Sequence, residues 1–259
     1  MDTPEKKEAK LYRSIMNKKY QFEFTENEGH AIKCAHCMRT LANADWGNSL
    51  KEETIESIND RKHPEWEPEW IRYSYTLPYK CVACKGTTYS VGEAEHYYHS
   101  NYDEETGVHE HDEGDLYRPK YFTPALSIFE IPLNCPPTIK KGLMKSFQLA
   151  YCDISAAANR LRATLEILIR LHFTEAEIGT RKLHDQIPLL TNKFTEIGDL
   201  SLAIKWIGNE GSHGDGEVQE FALAFAYEAF EKILNIIYGG KDATLEEVAS
   251  LIVKVKGRL

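Results

Sequence analysis

Two Cys-x-x-Cys pairs constrain the fold of this chain more than any other feature of its sequence. The pairs are Cys34 with Cys37 and Cys81 with Cys84. Such a turn presents two thiolates on one side of a metal ion, and tetrahedral zinc binds four thiolates at about 2.3 Å. Gly86, two residues after the last cysteine, suits the tight turn that aims backbone N–H groups at sulfur. The pattern predicts one structural Zn2+ held by all four cysteines.

The segment between the pairs, residues 38–80, is longer than in a compact zinc ribbon, and we interpret it as an insertion between two knuckles. Two alternatives remain open: thiol turns without metal, and a redox dithiol. A thioredoxin-like site is excluded because neither pair has a βαβ context. Four thiolates leave no open coordination position, so the zinc is predicted to be structural rather than catalytic. His36, between the first two ligands, is interpreted as a bystander.

Composition narrows the compartment and the class of partner. No stretch of the 259 residues is apolar enough to span a membrane, and the charged first residues lack the apolar core of a signal peptide. We therefore expect a cytoplasmic protein, in which cysteine pairs are more often metal ligands than disulfides. The formal net charge of −9 argues against broad, salt-driven binding to nucleic acid. No glycine-rich phosphate loop is present, so binding of a nucleoside triphosphate is not expected.

The N-terminal half divides into three predicted parts. Residues 1–30 form an arm or a helix, and residues 31–92 form a zinc-ribbon-like β domain with a short helix over residues 50–58. Residues 93–130 are an acidic, histidine-rich loop and linker. The stretch 86–117 contains nine Asp or Glu, four His and no Lys or Arg. We interpret this stretch as a solvated, partly disordered loop, with a second metal site formed by His109, Glu110 and His111 as the alternative.

The pattern becomes helical after Pro136 and Pro137, and residues 131–259 are predicted to form an all-α bundle. Residues 138–173 form one long helix, or two with a kink near Asp153. Further helices are expected over residues 181–194, strained at Pro188, and over residues 200–207 and 217–238. A final short helix begins at Thr244. The sequence thus predicts the α+β class, with the β part first and the helices second.

Three motifs in the second half resemble a prokaryotic HEPN-like domain of unknown function, found alone and within restriction and phage-defence proteins. The motifs are Pro132-x-x-Cys135-Pro136, Arg162-x-x-Leu165-Glu166 and Ile207-Gly208-Asn209-Glu210-x-x-His213-Gly214. The resemblance covers residues 131–238, and some members of that family also have an N-terminal zinc ribbon. It implies a HEPN-like helical bundle, often homodimeric, with a role in antiviral defence or RNA metabolism.

The same resemblance implies candidate catalytic residues. HEPN ribonucleases use an Arg followed four to six residues later by a His, which acts as acid or base on the 2′-hydroxyl. Here the three corresponding positions before His213 hold Trp206, Ile207 and Gly208. A cation would have to come from another helix, from Arg160 or Arg162. The candidate catalytic set is His213, Asn209, Glu166 and Arg162; structural capping by Asn209 and His213, and a surface ion pair between Arg162 and Glu166, are the alternatives.

Three functions follow as hypotheses. The first is a zinc-stabilised binding or adaptor protein of an anti-phage defence system, which recognises a protein or nucleic-acid partner. The second is a metal-independent ribonuclease that acts on RNA through His213. The third is a sensor or regulatory protein for small ligands or nucleotides. The expected partners are a protein and a second copy of this chain, with RNA as a further candidate and no membrane.

Overall fold

The computed structural model describes residues 20, 22–26, 30–102, 109–211 and 218–239, with the side chains of 99–102 and 109–110 left aside. Two parts follow each other along the chain. Residues 24–123 contain all seven described strands, and we call them the sheet region. Residues 137–239 contain six helices, and we call them the helical region. Among the described residues, no helix is long and apolar enough to cross a membrane.

The sheet region is one curled antiparallel sheet, a half-barrel, with strand order β1-β7-β6-β5-β3-β2. The seventh strand, β4, lies outside this order. It pairs with the same edge of β5 as β3 does, next to β3. A short helix, α1 (Ile55–Asp60), follows β4. The strands are β1 (Phe24–Thr25), β2 (Ala31–Lys33), β3 (Leu41–Ala44), β4 (Leu50–Glu53), β5 (Arg72–Cys81), β6 (Thr87–Tyr102) and β7 (His109–Thr123).

One face of the sheet is buried and aromatic. Along β5, Tyr75, Leu77 and Tyr79 are buried, and the intervening residues point to the other face. This period of two is what a sheet with one covered face requires. Phe24 closes the inner face by stacking on the ring of Tyr117, with 5.4 Å between centroids. The core of the sheet region is therefore built largely from ring contacts.

The predicted fold class holds only as α+β. A zinc-ribbon-like domain ending at residue 92 is wrong, because a single sheet continues through β7 to Thr123. The prediction of an all-α HEPN-like bundle is also wrong. Helices do follow the half-barrel, but nothing in the described residues shows a HEPN-like bundle. The acidic stretch, interpreted as a loop, pairs as strands from Tyr89–Thr123 to Tyr102–His109. Backbone hydrogen bonds within this ribbon hold it extended despite its charge.

The helical region follows the predicted spacing closely. Its helices are α2 (Pro137–Leu149), α3 (Ile154–His172), α4 (Glu175–Ile178), α5 (Leu183–Lys193), α6 (Gly198–Glu210) and α7 (Glu220–Tyr238). The predicted stretch 138–173 is two helices because Asp153 caps α3 by accepting a hydrogen bond from the Ala156 N–H at 2.8 Å. Pro188 lies inside α5 without ending it.

One tyrosine joins the two regions. Tyr151, between α2 and α3, packs its ring 4.8 Å from Phe122 of β7 and 5.6 Å from Phe22, measured between centroids. Its hydroxyl donates a hydrogen bond to the Tyr20 carbonyl at 3.0 Å. Burial raises the pKa of Tyr151, which therefore stays protonated and keeps this bond at every physiological pH. The sheet region thus packs against the start of the helical region.

Candidate metal centre

Strand pairing brings the two cysteine pairs together. Cys34 and Cys37 lie in the turn between β2 and β3, while Cys81 ends β5 and Cys84 lies in the turn between β5 and β6. Because β3 pairs with β5, with Ala42 opposite Cys81, the two turns lie at the same end of the sheet. The two ends of the long insertion between the pairs therefore lie close together in space.

The two turns have the same backbone design. In each, the residue after the second cysteine has a positive φ: 57° at Met38 and 61° at Lys85. The N–H of that residue donates to the carbonyl of the first cysteine, at 3.0 Å in both turns. A non-glycine residue at positive φ is uncommon and must be stabilised by its surroundings. The repetition of this conformation shows that both turns are shaped as knuckles.

The four sulfur atoms have the spacing of a tetrahedral site. The Sγ atoms of Cys34 and Cys84 are 3.6 Å apart, those of Cys37 and Cys81 are 3.8 Å apart, and all four lie within 4.8 Å of one another. A tetrahedron with metal–sulfur bonds of about 2.3 Å has sulfur–sulfur edges of about 3.8 Å. The four cysteines can therefore hold a metal ion.

Backbone and hydroxyl donors surround these sulfurs. The Cys34 sulfur accepts from the His36 N–H at 3.4 Å, and the Cys84 sulfur accepts from the Gly86 N–H at 3.4 Å. The Thr40 hydroxyl lies 3.1 Å from the Cys81 sulfur. Thr40 was not singled out in the sequence, because only the β3–β5 pairing places it beside the second knuckle. Such donors are typical of the hydrogen bonds that orient metal-bound thiolates.

The electrostatics favour a cation among the sulfurs. The Cys84 N–H and the Thr40 hydroxyl lower the pKa of Cys81 to about 6, so this thiol ionises readily. Although the Gly86 N–H lowers the pKa of Cys84, burial and the neighbouring sulfurs raise it to about 11. The protein thus favours ionisation of Cys81 and resists ionisation of Cys84. A bound cation removes that resistance, since each metal-bound thiol is deprotonated.

His36 links the two knuckles rather than standing apart. Its Nε2 donates to the Thr87 carbonyl at 2.9 Å, across from one cysteine turn to the other. Its ring lies where a Cβ on Gly86 would be, only 2.5 Å from that position. Glycine at this position is therefore required by the close approach of the ring, in addition to its place in the turn.

Two family models match the chain, and they divide it as the fold does. A model described as Domain of unknown function (DUF8608) matches residues 22–122, and one described as Domain of unknown function (DUF4145) matches residues 145–255. The first contains all four cysteines and the sheet up to the next-to-last residue of β7. The second contains α3 to α7.

No curated protein and no solved structure matches this chain. The two matched domains, like the resemblance seen in the sequence, are of a type defined by sequence without a known function. The functional argument therefore depends on the chain's own residues.

Three of the four candidate catalytic residues of the helical region lie among the described residues. Arg162 and Glu166 lie on α3 and form an ion pair at 3.3 Å, and Arg162 also donates to the Asn159 side chain at 3.3 Å. Asn209 lies half-buried near the end of α6. His213 lies outside the described residues, so its role stays a prediction. The interpretation of Arg162 and Glu166 as an ion pair agrees with their contact.

Helix packing accounts for the glycines of the third motif. A Cβ on Gly208 would lie 2.5 Å from the Arg162 Cβ, and one on Gly211 would lie 2.4 Å from the Ser155 carbonyl oxygen. Both glycines let α6 approach α3 closely. Close helix packing therefore explains two of the glycines in this segment, Gly208 and Gly211.

The second predicted metal site, formed by His109, Glu110 and His111, lies mostly outside the described side chains and stays a prediction. A hydrogen bond of 2.9 Å joins the Tyr98 hydroxyl to His111 Nδ1, and the two rings stack. The side chains of His109 and Glu110 lie outside the described set. Among the described residues, the cysteine quartet is the group of metal-ligating side chains close enough to bind one ion.

Proposed function

We propose that this protein is a zinc-stabilised binding protein, whose metal centre holds the half-barrel in shape and performs no reaction itself. One observation carries the proposal: four sulfur atoms lie within 4.8 Å of one another, at the distances of a tetrahedral site. Thiolate ligands in this geometry favour zinc among common metals, and the compact spacing fits a single ion rather than a cluster of several irons.

The chemistry of the donors supports a structural role. When bound, zinc would supply a redox-inactive crosslink between two hairpins, with Cys34, Cys37, Cys81 and Cys84 as its ligands. All four positions of a tetrahedral ion are then occupied by sulfur, so no position remains for water or substrate. Cys34 and Cys81 are buried in the sheet core, which ties the ion to the fold.

The binding role is supported by the outer surface of the sheet, whose conformation this crosslink would stabilise. The face of the sheet opposite to the core has exposed apolar side chains, including Leu50 and Tyr121, which are 70% and 57% exposed. A face of this kind in a folded domain commonly marks a contact with another macromolecule. Placement of the protein in an anti-phage defence system stays a prediction of the resemblance.

The metal is tested by elemental analysis of the purified protein together with two matched variants. We expect about one zinc per chain for the wild type, and a clear loss in Cys34→Ser. Cys152→Ser makes the same change at a half-buried cysteine outside the quartet, and should keep the zinc. Folded wild-type protein without bound metal, or equal loss in both variants, would contradict the proposal.

The ribonuclease alternative stays a prediction. Its acid–base residue, His213, lies outside the described residues, and Arg162 is engaged with Glu166. Incubation of the protein with total RNA in EDTA, beside His213→Ala, tests it directly. Cleavage lost in the variant would make this chain an enzyme, and the absence of cleavage would leave binding as its function.

A further inference from the structure

Lys205 of α6 is a buried cation without a carboxylate partner. It is 9% exposed, and no other Lys, Arg, Asp or Glu among the described residues is buried. Its ammonium lies 3.2 Å from the centroid of the Trp206 ring, and this ring is its only interaction partner in the described part of the chain. Buried charges in folded proteins are normally paired, because removing an ion from water is costly. The position of Lys205 therefore needs a reason beyond packing.

The polar groups around α6 do not neutralise Lys205. Gly208, one turn further along α6, packs on Arg162, whose guanidinium is bonded to the Glu166 carboxylate at 3.3 Å. Ser201, one turn before Lys205 on the same buried face, has a hydroxyl without a hydrogen-bond partner among the described residues. A ring face attracts an ammonium more weakly than a hydrogen-bonded carboxylate does. The charge of Lys205 is thus only partly compensated within the part of the chain that the structure describes.

The ring that covers this ammonium is itself open to solvent. Trp206 is 60% exposed, although large aromatic side chains are usually buried in folded proteins. The ring of His184, in the first turn of α5, lies 6.5 Å from the Trp206 ring, measured between centroids. Arg181 and Lys182 precede this histidine, Asp185 follows it, and all three are exposed. A partner that covers the indole therefore comes within reach of the buried ammonium.

One desolvated cation beside one exposed indole is typical of a contact with a protein. Tryptophan is enriched at the centres of protein interfaces, where charges that lose their water need an opposite charge from the partner. A nucleic-acid strand is bound instead by rows of exposed Lys and Arg that follow its phosphates. Lys205 is too buried to follow such a strand, and the chain has a net charge of −9. These observations favour a single carboxylate from a protein partner.

We propose that Lys205 and Trp206 form a docking site for a protein segment that has a carboxylate next to an apolar side chain. The carboxylate pairs with the Lys205 ammonium, and the apolar side chain covers the exposed part of the Trp206 ring. His184 borders this site, and Arg181 and Lys182 attract an acidic segment during its approach. The inference rests on the proposed binding function for the expectation of a partner, and it places that contact on the helical region rather than on the sheet.

Replacement of Lys205 by methionine tests whether its charge is unpaired. Lys205→Met keeps an unbranched side chain and removes the ammonium, so the helical region should melt at least about 2 °C higher than in the wild type. Lys141→Met makes the same change at an exposed lysine of α2 and should leave the melting temperature within about 1 °C of the wild type. An equal or lower melting temperature in Lys205→Met overturns the proposal, because the ammonium then has a stabilising partner within the free chain.

Selection of short peptides from a random phage-displayed library, with the full chain as bait, tests the class of partner. We expect the recovered peptides to contain Asp or Glu next to an apolar residue. Such a peptide should bind the wild type at least about tenfold more tightly than it binds Lys205→Met or Trp206→Ala. Trp70→Ala is the matched control: it truncates a 37% exposed tryptophan of the sheet region and should leave the affinity for the peptide unchanged.

Zinc content is measured in the same samples, so that the two proposals fail separately. Zinc-loaded wild type that recovers no acidic peptide, or peptides that bind Lys205→Met as tightly as the wild type, overturn the docking site and leave the metal centre standing. Folded wild type without zinc contradicts the proposed function, whatever peptides it binds. A single-stranded oligouridylate that binds the wild type and is lost in Lys205→Met would assign the site to nucleic acid and overturn the protein partner.

Discussion

The sheet region and the helical region are stabilised in different ways. The buried core of the helical region is mainly aliphatic and belongs to helices that pack along their length, with Leu161, Leu165 and Leu168 of α3 at its centre. The core of the sheet region is smaller and depends on rings and on two cysteines, Cys34 and Cys81. We expect apolar burial to sustain the helical region alone, and the smaller sheet region to depend also on the proposed metal crosslink at its cysteine end.

Metal removal should separate the two regions most strongly. Because structural zinc contributes about 10–16 kcal/mol in small zinc domains, a chelator should unfold the sheet region and leave α3 and α7 helical. Hydrogen exchange measured with and without chelator should show lost protection in β5 and retained protection in α3. A single cooperative loss of both regions would show that the joint at Tyr151 makes them one unit.

Acid should act on the sheet region next. Burial lowers the pKa of His30, which hydrogen-bonds to Tyr79, to about 4, so the folded state keeps this ring neutral. The unfolded chain takes up a proton near its ordinary pKa of about 6.5. Stability is therefore full above about pH 6.5 and falls by about 3 kcal/mol as pH drops to about 4.

Denaturant titrations of the wild type and His30→Gln across this pH range measure that loss, which the variant should abolish. His172 of the helical region provides the comparison. Its pKa is also lowered by burial, but it is less buried, so His172→Gln should remove a smaller part of the slope. Equal slopes in wild type and His30→Gln would exclude a neutral His30 as the cause.

A glycine substitution tests close packing in the helical region. Gly208→Ala should lower the free energy of unfolding by about 1–3 kcal/mol, because its Cβ would meet the Arg162 Cβ at 2.5 Å. Gly47→Ala is the control, since its Cβ would meet only the Asp45 side chain at 3.8 Å. Zinc content should be unchanged in both. A stable Gly208→Ala would mean that α6 can move away from α3 at little cost.

The smallest expected effect concerns the hydroxyl beside the metal centre. Thr40→Val removes the donor 3.1 Å from the Cys81 sulfur and should weaken metal binding about tenfold without unfolding the protein. Competition with a chromophoric chelator measures the change. Thr191→Val, which removes a hydroxyl bonded to the Ile187 carbonyl in α5, should leave metal binding as in the wild type.

Local signals in the sequence account for what could be predicted. The Cys-x-x-Cys turns are short and self-contained, and the structure brings them together as expected. Helix ends in the helical region are also marked locally: Pro137 begins α2, Asp153 caps α3, and α7 ends at Tyr238. In each case a few neighbouring residues determine the conformation, so spacing alone is informative.

The half-barrel could not be predicted because its signals are not local. Beyond Glu95, β6 leaves β5 and pairs only with β7, so its acidic residues have no core to face and show no apolar alternation. The predicted helix over 50–58 is divided at Thr54, because β4 before it pairs with β5. Pairing with a strand twenty or more residues away overrides the local helical pattern.

A metal ion bound by both Cys37 and Cys81 would close the intervening chain, residues 38–80, into a ring. Such closure restricts the unfolded chain as a disulfide would, with an entropic effect of about 4 kcal/mol for a ring of this size. The effect changes by only about 0.6 kcal/mol when the ring doubles in length. Evolution can therefore lengthen or shorten the span that includes α1 with little thermodynamic consequence, which makes it the natural place for relatives of this domain to differ.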